Sequence, residues 1–166
     1  MKQAIAGVAP PELSEVTVMT VWPSVASTAC GRFHGRLFAI SSGFWIITVG
    51  RLLTLAAMPI GPLLYGYLRL PGVLRRYRLT NRRVAILKGI AGRVERFVDL
   101  DRFDAIEVVV LPGQEWYKAG DLVFRNGAVE TFRLSGVSRP ETFRQTCMKA
   151  RMSYVGVHKA RAVQMA

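Results

Sequence analysis

Residues 37–68 form an almost unbroken apolar run, and a dense basic stretch follows directly. The run reads LFAISSGFWIITVG, then Arg51, then LLTLAAMPIGPLLYGYL, with Arg51 its single charge. Soluble cores rarely need so long a run, whereas a bilayer explains it directly. As one helix it would extend about 48 Å, against a hydrocarbon core of about 30 Å. A single span centred here would also bury Arg51 near the midplane, at a cost of several kcal/mol. A helical hairpin removes both difficulties. Its first arm would run from about Ser24 to Val49, with Gly50 and Arg51 near the turn, and its second from Leu52 to about Leu70. Pro59, Gly61 and Pro62 would kink the second arm. A shallow hairpin that does not fully cross, and a single tilted span over Leu52–Leu70, are the alternatives. Trp22, Trp45, Tyr65 and Tyr67 are candidate interfacial anchors.

The net charge is +12. Between Arg69 and Arg96, Arg69, Arg75, Arg76, Arg78, Arg82, Arg83, Lys88, Arg93 and Arg96 face Glu95 alone. Beside a hydrophobic segment this block has three readings. It fixes topology by the positive-inside rule, it attracts anionic lipid, or it binds nucleic acid. The first accounts for the charge by itself, and no helix-turn-helix or RNA-stacking motif supports the third. The expected location is therefore the cell membrane as an integral protein, with the C-terminal domain cytoplasmic. The extreme N-terminus makes a poor signal peptide, because Pro10, Pro11, Glu12 and Glu15 interrupt it.

After Pro71-Gly72 the pattern changes to short strands. Arg76–Thr80, Arg83–Lys88, Arg93–Leu100 and Ala105–Leu111 are expected strands. Asp121–Arg125 and Val129–Leu134 are a hairpin around Asn126-Gly127. A three-residue loop with a bulge puts Leu122 and Phe124 on one face with Phe132 and Leu134. A closing helix starts with Ser138 as N-cap, Pro140 in the first turn and Glu141 completing a capping box. Phe143, Cys147 and Ala150 form its buried stripe, and it is expected to end near Arg151 or Tyr154. The fold class is thus α+β. An N-terminal transmembrane helical hairpin leads into a small pleckstrin-homology-like antiparallel sheet or open barrel with a C-terminal capping helix. The divisions are 1–23 as an N-terminal segment, 24–70 as the hairpin, 73–155 as the domain and 156–166 as a basic tail.

The stretches RYRLTNRRVAILKG, FVDLDRFDAIEVV, AGDLVF and ETFRLSGVSRPETF resemble the membrane-flanked, YdbT-like bacterial pleckstrin-homology family over about residues 36–150. The opening motif is carried by Tyr77, Leu79, Thr80, Asn81 and Arg83, and a glycine-aspartate step by Gly120-Asp121. The resemblance implies the fold and a membrane setting, but no catalytic residues. By fold analogy, Arg78, Arg82, Arg83 and Lys88 are the candidate lipid or phosphate contacts.

Trp116 and Tyr117, in a polar loop, are candidate partner contacts, membrane-dipping aromatics or a plug for one end of the barrel. Asp99, Asp101, Asp104 and Glu107 cluster around one turn. Their spacing matches no calcium loop, and a solvated acidic edge suits them better. His34 lacks a ligand partner at helical spacing. Cys30 and Cys147 suggest no disulfide framework, and Cys147 reads as a small buried apolar residue. No nucleophile, metal or phosphate-loop motif occurs. The expectation is a non-enzyme without cofactor or metal. Its expected partners are the membrane, a protein or a second copy of itself, with anionic lipid as the alternative and nucleic acid disfavoured.

Overall fold

A computed structural model describes residues 15–39, 43–44, 47–70 and 73–164. The first described element is strand β1 (Thr17–Val21). Helix α1 (Ala29–Phe38) follows a 3-10 turn, and a minimal hairpin, β2 (Gly43–Phe44) and β3 (Ile47–Thr48), comes next. Helices α2 (Val49–Ala56) and α3 (Ile60–Arg69) lead back to the sheet. Strands β4 (Arg75–Thr80), β5 (Arg83–Lys88), β6 (Arg93–Asp99) and β7 (Ala105–Val109) follow. Last come β8 (Ala119–Asn126), β9 (Val129–Ser138) and helix α4 (Pro140–Gln164).

Two antiparallel sheets, ordered β1-β4-β5-β6 and β7-β8-β9, enclose one core, with α4 against the second sheet. Leu79, Val84, Leu100, Leu122, Leu134 and Phe143 are fully enclosed. Phe103, Phe124 and Phe132 meet edge to face, with centroids 5.0 and 5.6 Å apart, the arrangement that ring quadrupoles favour. Along β8, every residue from Ala119 to Phe124 is buried, as a central strand requires.

The first strand lies within residues 1–23, which the sequence assigns to a segment preceding the domain. β1 instead pairs antiparallel with β4, Val21 opposite Tyr77. Residues 22–74 are therefore an insertion between two adjacent strands of one sheet. The family-like motif explains how β1 is held. Asn81 accepts from the Val16 amide at 3.0 Å and donates its own amide to the Val16 carbonyl. Thr80 donates to Glu15 at 2.9 Å, and Arg83 forks onto the same carboxylate at 2.7 and 2.6 Å. Tyr77 reaches the other sheet, donating to the Ser135 carbonyl at 2.8 Å.

Among the described residues, the apolar run does not form the expected pair of membrane-crossing arms. No helix among the described residues is long and apolar enough to cross a membrane. Thr28 caps α1 by accepting from the Gly31 amide at 3.0 Å. α1 then ends at Phe38 rather than continuing to Val49. Arg51 lies inside α2 and not at a turn between arms. The break comes later, at Ala57–Pro59, where proline disfavours helical backbone before it. Trp45 and the Pro71-Gly72 boundary lie outside the described residues.

Smaller differences have local causes. Phe124 sits opposite Phe132 and Leu122 opposite Leu134, as expected, with a bulge between Phe124 and Arg125. Asn126 nevertheless pairs with Val129, leaving a two-residue loop with Gly127 at φ 59°. Ser138 is not a cap. It ends β9 opposite Ala119, and Arg139, at φ 49°, makes the corner. Glu141 turns outward to Arg144 at 2.9 and 2.5 Å instead of closing a capping box. α4 continues past Tyr154 to Gln164, through alanine, lysine and arginine residues of high helix propensity.

Candidate functional site

The insertion leaves and re-enters the sheet at one end. Its root is fastened to the second sheet. Pro23 bridges to Val137, and the Ser24 amide donates to the Gly136 carbonyl at 2.7 Å. Beneath this lies a buried polar clamp. Asp121 accepts from the Gln114 side chain at 2.7 Å and from the Gly136 amide at 2.9 Å. Gln114 accepts in turn from the Leu111 amide at 2.9 Å. Arg133 stands 3.6 Å from the second Asp121 oxygen. A buried carboxylate is tolerable only when its lone pairs are satisfied in this way. The Gly120-Asp121 step is thus a structural fastener.

α1 docks by direct backbone approach. A Cβ on Gly35 would meet the Gly113 carbonyl oxygen at 2.1 Å, and one on Gly113 the Arg32 carbonyl oxygen at 2.0 Å. Arg36 donates to the Pro112 carbonyl at 3.2 Å. This brings the Trp116–Tyr117 loop onto the helix. Tyr117 and the buried His34 share a hydrogen bond of 2.9 Å. Trp116 packs on Phe38 with centroids 4.8 Å apart, yet stays 44% exposed. Burial pushes the Tyr117 hydroxyl above its ordinary range. Trp116 and Tyr117 therefore hold the insertion, with part of the indole left facing out.

The candidate cations Arg78, Arg82, Arg83 and Lys88 do not converge. Arg83 and Lys88 occupy opposite ends of β5, roughly 17 Å apart along the strand. Arg82 and Arg83 lie at the end away from the insertion, where Arg83 is held by Glu15 and its guanidinium stands 5.0 Å over the Phe97 ring. Arg78 is mid-strand, opposite Ala85. At the insertion end, Lys88 is joined by Arg75 and Arg93 through the strand register. Arg76 also lies at this end, where it donates to the Gly89 and Ile90 carbonyls at 3.4 and 3.0 Å. Arg69 closes α3, its guanidinium 5.4 Å from the Trp22 centroid and 4.7 Å from that of Tyr65. Sequence spacing could not find this grouping, because it depends on where α3 returns.

Next to these cations the insertion is strongly apolar on its outside. Leu52, Leu53, Leu55, Met58, Leu63 and Leu70 are all exposed, Leu63 to 72%. The acidic residues do not gather into a metal site. Asp104 accepts from the Gly127 amide at 3.0 Å, Glu107 pairs with Arg125 at 2.8 Å, and no metal-holding group occurs among the described residues.

Two sheets of four and three strands with a closing helix define a pleckstrin-homology-like sandwich. A family model described as bacterial PH domain matches residues 25–151, and the chain belongs to that family. No curated protein and no solved structure matches it.

Proposed function

We propose that this chain is a non-enzymatic bacterial PH-domain module, anchored to the cytoplasmic face of a membrane, that works by protein interaction or scaffolding. The carrying observation is the exposed apolar surface of α2 and α3 beside a cation-rich sheet end. Apolar patches of this kind mark protein or membrane contacts, and adjacent cations favour an anionic surface. At 8 and 10 residues, the helices reach about 12 and 15 Å. The reading therefore takes the insertion as embedded in one leaflet, with Tyr65, Tyr67 and Trp22 at headgroup level. Membership in a family not known for catalysis supports the non-enzymatic part. The outer strands β6 and β7 and the exposed part of Trp116 are the surfaces offered to a protein partner or a second copy.

Fractionation of cells expressing the full chain tests the anchor. The wild type should stay with membranes through a high-salt wash, and Leu55→Glu with Leu63→Glu should release it. A wild type found in the soluble fraction would sink the reading. Terminal reporters should both report the cytoplasm. Trp116→Ala with Tyr117→Ala should reduce partner co-purification while membrane association persists.

A second reading, anionic-headgroup binding through the basic strands, is favoured by the cations gathered at the insertion end. It predicts salt-sensitive vesicle binding. Lys88→Glu with Arg93→Glu, at the insertion end, should weaken that binding more than Arg82→Glu with Arg83→Glu at the far end; the reverse order would return it to the first strand turn.

A further inference from the structure

Where α3 returns beside the start of β4, a cavity of about 270 Å³ opens at the root of the insertion. This lies near the lower end of small-molecule pockets, roughly 300–1,000 Å³. Trp22, Ser24, Tyr65, Arg69, Arg75 and Ser138 contribute to its lining, and no lining residue is acidic. Arg69 is fixed without an acidic partner among the described residues. Its guanidinium stacks on Trp22 and Tyr65, and it donates to the Tyr65 hydroxyl. Stacking of this kind orders a guanidinium and leaves its charge and remaining N–H groups available. Arg75 gives one nitrogen to Glu95 at 3.0 Å. The Ser24 oxygen accepts from the Ala26 amide at 3.3 Å, and a hydroxyl that accepts still carries a proton to donate. Val25, Leu68 and Leu74 supply an apolar side to the cavity.

We propose that this cavity binds a phosphate ester, with Arg69 and Arg75 on the phosphate oxygens. Planar guanidinium forks and nearby hydroxyls match tetrahedral oxyanions, and the apolar wall suits a glycerol-like stem. The site is distinct from Arg78, Arg82, Arg83 and Lys88, and it exists only with the insertion in place. That the ester belongs to a lipid rests on the membrane reading above; the phosphate chemistry does not.

The full chain would be floated with neutral phosphatidylcholine vesicles and with vesicles containing phosphatidylglycerol. Soluble glycerol phosphate would be titrated by calorimetry. Arg69→Lys preserves charge and removes the fork, so it separates a built site from general attraction. The expected result is at least about a tenfold loss of the phosphatidylglycerol preference in Arg69→Lys, with Arg102→Gln close to wild type. Ser138→Asp, which adds a carboxylate to the cavity, should do the same and guards against a folding defect at Arg69. Wild-type preference in both cavity variants would overturn the site while leaving the anchor standing. If the wild type floats with no vesicle but binds glycerol phosphate in an Arg69-dependent way, the anchor fails and the site serves a soluble ester. Saturable binding to neither overturns the site.

Discussion

Gln114 donates to Asp121 across 2.7 Å at a point where both side chains are buried. The contact joins the loop beneath the insertion to a central strand, and Gly136 of the neighbouring strand completes it. Asp121→Ala leaves one N–H of the Gln114 amide and the Gly136 N–H unsatisfied, which should cost about 3 kcal/mol. Asp121→Asn keeps one acceptor and should cost less. Urea denaturation of both variants checks the order, and equal losses would show that side-chain volume matters more than the hydrogen bonds.

Gly35 and Gly113 allow two backbones to touch, and no larger residue fits either position. Gly35→Val should lift α1 from the loop and leave the sandwich folded. Tryptic cleavage at Arg32 and Arg36 should then accelerate by at least about tenfold. Amide exchange in β8 and β9 should stay slow. Loss of protection throughout would mean that the insertion and sandwich fold as one unit.

The two thiols should react very differently. Cys30 is exposed, whereas Cys147 is buried and its thiol is pushed up to about 12 by desolvation. At pH 8 a thiol reagent should modify Cys30 promptly and Cys147 at least about a hundredfold more slowly. Mass spectrometry of the two peptides over time measures the ratio.

Arg83 holds the Glu15 carboxyl below its ordinary value of 4.5. The folded form is therefore the stronger acid. The pair's contribution is present above the ordinary value and is lost as pH falls through the folded one. Because the pair is partly exposed, it is worth about 0.5–1 kcal/mol. The melting temperature of Glu15→Gln should fall short of wild type at neutral pH, and the gap should close on acidification. A gap independent of pH would assign the effect to the neutral contact with Thr80.

Much of the sandwich was legible where pairing is local. β5 is bounded as the alternation of Arg83–Lys88 predicts, and Phe143 and Cys147 point inward at helical spacing. β1 was not legible, because Thr17–Val21 is short and its partner lies beyond the insertion. The apolar run is ambiguous in a different way. Hydropathy does not distinguish a crossing helix from short helices that expose leucines, and Pro59 decides between them only once the helix ends are known. The cavity was invisible for a related reason. Trp22, Arg69 and Ser138 are far apart in the chain and meet only where the insertion closes on itself.

The interruption of one sheet by residues 22–74 also sets an order of events. During synthesis β1 leaves the ribosome well before β4, because its hydrogen-bonding neighbour emerges only after the whole interruption has been made. Closing so long a loop carries an entropic cost that local hairpins avoid. β1 thus waits for β4, its neighbour in the sheet, while the apolar segment between them is already free to seek its environment.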